Sequence, residues 1–163
     1  RHRTGANIPH LSVDAGMVPL PATLTPEIVA ARETLLAARY ERVPPGKDDK
    51  IIAAWNGLMI GALAFAGKVL DEPRYVAAAK RAANCALTTL KPAGQLLRRY
   101  AKGEAAIPAF LDDYAYLADG LLDLADATGE TEWATQARRL TNTLLDRFWD
   151  EDDGGFFYSG TEH

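Results

Sequence analysis

Asp112 and Asp113 stand side by side just ahead of a run of leucines and alanines. Glycoside chemistry uses two carboxylates, one protonated toward the leaving group and one ionised across the scissile bond. Neighbours on a helix diverge by about 100°, so this pair alone does not make that arrangement. One of the two paired with Asp48 or Asp49 across a cleft would. The competing reading is that both satisfy free amides and complement the positive end of a helix. Trp55 and Asn56 offer an aromatic face for a sugar ring and an amide for its hydroxyls. They read equally as a core indole and an amide bonded to neighbouring backbone. Arg98, Arg99 and Tyr100 could clamp an anionic or polyhydroxyl ligand, or pair with Asp112 and Asp113. Asp112 and Asp113 are thus the candidate catalytic pair. Trp55, Asn56, Arg98, Arg99, Tyr100 and Tyr114 are the candidate substrate-binding set.

Other chemistries leave no trace in the chain. His2, His10 and His163 lie at the termini without metal-ligand spacing, and there is no zinc pattern, phosphate loop or serine-nucleophile motif. No metal and no cofactor is expected. Gly154-Gly155 is a turn. Cys85 is the single cysteine. It sits in an alanine-rich run and reads as a structural thiol, consistent with a reducing, cytoplasmic setting.

The 163 residues are enough for one domain, with 48% hydrophobic and 25% charged residues. A net charge of −4 with both signs scattered gives no footprint for nucleic acid or anionic lipid. Arg98, Arg99 and Lys102 form only a short basic turn. The run 51–67 carries no charged residue over 17 positions, the lower limit for a bilayer span. Trp55, Asn56 and Gly57 interrupt it, and amphipathic helices follow, so it reads as a buried helix and no membrane partner is expected. No signal-peptide core is present, and Arg1 in place of Met points to a fragment.

The elements that would position these residues follow from period and punctuation. Residues 1–24 read as irregular. Thr25-Pro26-Glu27 starts a helix, with Ile28, Leu35 and Leu36 on one face to about Tyr40. A second helix, apolar all round, spans about 50–70. A third, amphipathic, spans about 72–90, with Tyr75, Val76, Ala79, Leu87 and Leu90 inward. The segment 95–100 is extended. Pro108 opens a fourth helix to about Thr128, and Gly129 ends it. A fifth covers about 131–149, and 156–158 is extended again.

These elements repeat. Leu58, Leu63, Tyr75, Arg81, Asn84, Leu87 and Leu90 recur as Leu117, Leu122, Trp133, Arg139, Asn142, Leu145 and Phe148, about 58–59 residues later. Each unit is an apolar helix, a turn, an amphipathic helix and a short strand. A helix apolar all round needs neighbours on every side, and its amphipathic partner needs cover on one. That is the logic of an α/α toroid with parallel inner helices. The expected fold is all-α: part of a toroid, with short β-hairpin elements at one rim. It would occupy 25–163 as one domain, with hairpin repeats at about 50–107 and 108–158. Two units cannot close a ring, so further repeats, or self-association through an exposed apolar face, are expected partners.

The rim segments also carry a resemblance. Asp48-Asp49-Lys50, Trp55-Asn56-Gly57-Leu58-Met59, Leu97-Arg98-Arg99-Tyr100, Phe110-Leu111-Asp112-Asp113-Tyr114-Ala115 and Asp153-Gly154-Gly155-Phe156-Phe157 closely resemble the YyaL-like family, which includes spermatogenesis-associated protein 20. The match runs from about Ile28 to Tyr158, with a weaker continuation at Asn7-Ile8-Pro9-His10. The resemblance implies a six-hairpin glycosidase-like (α/α)6 toroid, similar to that of N-acylglucosamine 2-epimerases, joined to an N-terminal thioredoxin-like domain. This sequence holds only part of the toroid and lacks the thioredoxin-like domain with its cysteine motif, so no redox function follows. Two functions are expected from different classes. One is a carbohydrate-active or carbohydrate-binding domain. The other is a non-catalytic interaction scaffold whose rim binds a protein or a neighbouring domain, with the remaining toroid repeats and the thioredoxin-like domain of the full-length protein as the partners the resemblance implies.

Overall fold

A computed structural model describes residues 25–160. The 1–24 segment, its Asn7-Ile8-Pro9-His10 motif, and His2, His10 and His163 lie outside the described residues. The chain divides into two compact units, one ending at Lys47 and the other starting at Asp48. In the first, helix α1 runs Pro26–Tyr40. Thr25 is its N-cap residue and Pro26 its first helical residue, and the Thr25 carbonyl accepts from the Val29 amide at 3.0 Å. No α1 residue is buried.

The second unit holds β1 (Ile51–Ile52), α2 (Ala53–Val69), α3 (Pro73–Thr89), a 3-10 turn (Pro92–Gly94), β2 (Leu97–Ala101), β3 (Glu104–Pro108), α4 (Leu111–Thr128) and α5 (Thr131–Phe148). The strands form an antiparallel sheet in the order β1-β2-β3. Lys102 and Gly103, at φ 52° and 86°, make the two-residue link from β2 to β3. Positive φ at both central positions fits the twist of a tight hairpin. Leu97 pairs with Pro108 and Arg99 with Ala106. Between them Ile107 turns to φ 67°, which leaves Arg98 without a regular rung.

Two expectations shift here. Pro108 is the last residue of β3, not the opening of α4. Ile51 and Ile52 belong to β1, pairing with Tyr100 and Arg99, so α2 starts later than its apolar run.

The inner helices α2 and α4 run parallel, because their contacts advance together along both. The Ala54 amide meets Asp113, Gly57 meets Tyr116, Gly61 meets Gly120, and Lys68 meets Asp126. Glycine makes this approach possible. A Cβ at Gly57 would fall on the Tyr116 carbonyl, and one at Gly120 on the Gly57 carbonyl. The outer helices return antiparallel. Gly67 admits Val76 of α3, and Tyr114 of α4 meets Phe148 of α5 with ring centroids 5.6 Å apart. Between the layers lies one core that includes Ile60, Ala64, Ala79, Ala83, Leu90, Leu117, Leu121, Leu124, Trp133, Leu140 and Phe148. Both inner helices and both outer helices start 58 residues apart. The left-handed Gly129 (φ 72°) ends α4.

Helix α2 is apolar all round but covered on only part of its circumference, which agrees with the exposed apolar face expected of two hairpins without further repeats. Trp55, Leu58, Met59, Phe65 and Val69 stay exposed along one side.

Candidate functional site

The N-terminal ends of α2 and α4, the sheet and the segment after α5 meet at one rim. Strand alternation puts Arg98 and Tyr100 on one face of β2 and Arg99 on the other. From its irregular rung, Arg98 reaches the start of α4. Its Nη1 donates to Asp112 Oδ1 at 3.2 Å and to Asp113 Oδ2 at 3.0 Å. Its guanidinium lies 4.9 Å from the Phe110 ring centroid. Phe110 in turn stacks on Tyr158 at 5.1 Å, and the Leu111 amide donates to the Tyr158 carbonyl at 3.1 Å.

Asp113 is fully buried. Its Oδ2 also accepts from the Phe110 amide at 3.0 Å, closing its own helix start. Its Oδ1 accepts from the Ala54 amide of α2 at 3.0 Å. One carboxylate thus ties α4, β2 and the neighbouring inner helix together. Burial raises its pKa above the ordinary aspartate value, against the pull of the Phe110 and Ala54 amides and the Arg98 charge. Burial likewise opposes the Arg98 charge, but Asp113 and Asp112 outweigh it and raise the arginine's pKa. Asp112 remains partly exposed, and its Oδ1 also accepts the Asp113 amide at 3.1 Å.

The other candidates separate. Asp48 pairs with Lys50 at 3.1 Å in the solvated loop, and that lysine's hydrogen bonds lower its pKa. Asn56 Nδ2 donates to the Ile52 carbonyl at 2.9 Å, inside its own helix start. Trp55 is 65% exposed, and Tyr114 is buried against Phe148. Arg98, Asp112 and Asp113 are therefore brought together. Arg99 and Tyr100 are half-buried in β2, and Trp55 faces outward on α2.

A stripe was missed in the sequence. Asp112, Tyr116, Asp119 and Asp123 recur at helical spacing on α4, and Tyr116, Asp119 and Asp123 are exposed. Partial burial raises the Asp123 pKa, and the charges of Asp119 and Asp126 add to it. The spacing was legible, but an acidic helix face ordinarily reads as solvated surface. Exposed carboxylates around an exposed ring suit a ligand rich in hydroxyls. Among the described residues no helix is long and apolar enough to cross a membrane.

No family model matches the chain. It is 38% identical over 140 residues to spermatogenesis-associated protein 20 of Homo sapiens, covering 80% of this chain and 18% of that protein. An uncharacterized protein of Caenorhabditis elegans is 33% identical over 146 residues, covering 85% of this chain and 20% of its own length. The chain therefore spans about one fifth of the curated relatives it matches. Among solved structures, the cellobiose 2-epimerase of Spirochaeta thermophila aligns with TM-score 0.62 at 19% identity, over 85% of this chain and 41% of that one. A sugar epimerase from a ruminal bacterium aligns with TM-score 0.61 at 14% identity, over 84% of this chain and 41% of its own. At such identities the likeness concerns the fold, which is part of a six-hairpin glycosidase-like toroid. The chain belongs, as a partial toroid, to the family of spermatogenesis-associated protein 20.

Proposed function

We propose that this chain supplies a carbohydrate-binding arc of a toroid, using the outward stripe of α4 rather than a catalytic acid–base pair. The observation that carries the reading is the exposed Tyr116 ring flanked along one helix face by Asp112, Asp119 and Asp123. A tyrosine face stacks on the C–H face of a sugar, and carboxylates accept hydrogen bonds from its hydroxyls. Asp113 supports this arrangement from behind. Its oxygens are engaged by two amides and Arg98, so it positions the helix. Both fold neighbours are sugar epimerases, one of them a cellobiose 2-epimerase, which makes a neutral disaccharide the first ligand to try.

The test is an NMR titration of the chain, and of the longer protein that contains it, with cellobiose. The reading expects shifts at the Tyr116 ring that saturate. It also expects Tyr116→Ala to weaken binding by roughly tenfold, the size of a lost aromatic contact of about 1.4 kcal/mol. No shift at millimolar sugar, or equal binding by the variant, would overturn it. A second reading, a non-catalytic scaffold, is favoured by a different observation: the exposed apolar side of α2 at Trp55, Leu58, Met59 and Phe65.

A further inference from the structure

The two hairpins are related by a 58-residue step, since both inner and both outer helices start that far apart. The packing inside each hairpin obeys the same step. Leu90, which ends the first hairpin, and Phe148, 58 residues later at the end of the second, are both buried in the core. Residues 58 apart therefore occupy equivalent places in the architecture.

That equivalence can be applied to the seam between the hairpins. The α4 residues that meet α2 are Asp113, Leu117, Gly120 and Asp123. One step earlier they become Trp55, Met59, Ala62 and Phe65. In α4 the first three are buried; in α2 all four are exposed. At three of the four positions the α2 side chain is larger and more apolar than its α4 counterpart, with a tryptophan where the buried carboxylate stands. An exposed apolar stripe of this kind on a described helix is a seam without its partner.

We infer that the Trp55–Met59–Ala62–Phe65 side of α2 is the docking seam for a further inner helix of the same polypeptide. That helix runs parallel to α2 and precedes it in the chain, as α2 precedes α4. Its contact face is built from small residues, as Ala54, Gly57 and Gly61 are built where α2 receives α4. The relatives' greater length is consistent with such a helix, since this chain spans 18% of the human one. A second copy of this chain fits the seam less well. The α4 positions equivalent to Ala54, Gly57 and Gly61 are Asp112, Ala115 and Asp119, which would set the Asp119 carboxylate and the Asp112–Arg98 ion pair against the apolar Trp55 and Met59.

Hydroxyl-radical footprinting tests this on two polypeptides: the chain alone, and the longer protein with the hairpin that precedes it. Trp133, 3% exposed, is the internal standard for a buried indole. The inference expects Trp55 and Met59 to be oxidised readily in the chain alone. In the longer protein Trp55 should be protected to the level of Trp133. Equal oxidation of Trp55 and Met59 in both polypeptides overturns it. So does protection in the chain alone that vanishes on dilution or in Leu58→Glu, because a second copy would then be the occupant. Circular dichroism of Leu58→Glu checks that the variant keeps its helices.

Discussion

Replacing Asp113 by alanine removes the acceptor shared by three donors on three elements. The Ala54 amide of α2, the Phe110 amide and Arg98 each lie 3.0 Å from it. Arg98 keeps Asp112 and the Phe110 ring, so its charge is not stranded. The two amides have no such substitute. An unsatisfied buried amide costs roughly 1–3 kcal/mol, so the two together cost about 2–6 kcal/mol. The burial that raises the Asp113 pKa offsets part of this, because a costly buried charge also goes. A net loss of about 3 kcal/mol follows. Asp113→Asn keeps the volume and one acceptor oxygen and should lose less, roughly 1–2 kcal/mol. Urea unfolding followed by far-UV circular dichroism measures both. The pH dependence has a definite sign. With its native pKa raised above the unfolded value near 3.8, Asp113 binds more protons in the folded chain between those two values. This group alone then makes unfolding free energy rise as pH falls through that window, and Asp113→Asn abolishes that component. Asp113→Ala unfolding within about 0.5 kcal/mol of the parent would refute the brace.

Three further outcomes follow. Gly57→Ala and Gly120→Ala each drive a methyl into a backbone carbonyl. Overpacking of roughly 1–3 kcal/mol should outweigh the helix-propensity gain of about 1 kcal/mol, whereas Gly46→Ala, with nothing within 4 Å, should be neutral in the same denaturation assay. Glu130 accepts from Lys80 and from the Trp133 indole, and those bonds lower its pKa below 4.5. The contribution is present above the unfolded value and lost as pH falls through the folded one, so the Trp133 indole proton resonance should titrate with a midpoint below 4.5. Arg98→Lys should unfold earlier in urea than the parent, because an ammonium lacks the planar face that lies over Phe110.

Much of the fold was legible because each hairpin announces itself twice. Tyr75 and Leu90 reappear as Trp133 and Phe148, and a left-handed glycine closes α4 where Gly129 was read as its end. The strand β3 was not legible. Ala105 and Ala106 lack the branched or aromatic side chains that mark strands, and the hairpin signal rested on Lys102-Gly103 alone. At the site, the Arg98 pairing with Asp112 and Asp113 was one of two open readings, and chain spacing could not choose between them. The bond from Ala54 to Asp113 joins residues 59 apart and has no local signature. Trp55 shows the converse limit. A tryptophan in an uncharged run reads as core, but whether it is covered depends on the neighbour that α2 has on that side.

The toroid depends on α2 and α4 running parallel, and a cysteine-pair crosslink tests that directly. In a Cys85→Ser background, Lys68→Cys and Asp126→Cys replace an exposed ion pair of 2.8 Å near the C-terminal ends of α2 and α4. A short thiol crosslinker should join this pair rapidly within one chain and leave Lys68→Cys with Asp112→Cys unjoined. Rapid joining of the second pair, with none of the first, would mean that the helices run antiparallel and would contradict the toroid.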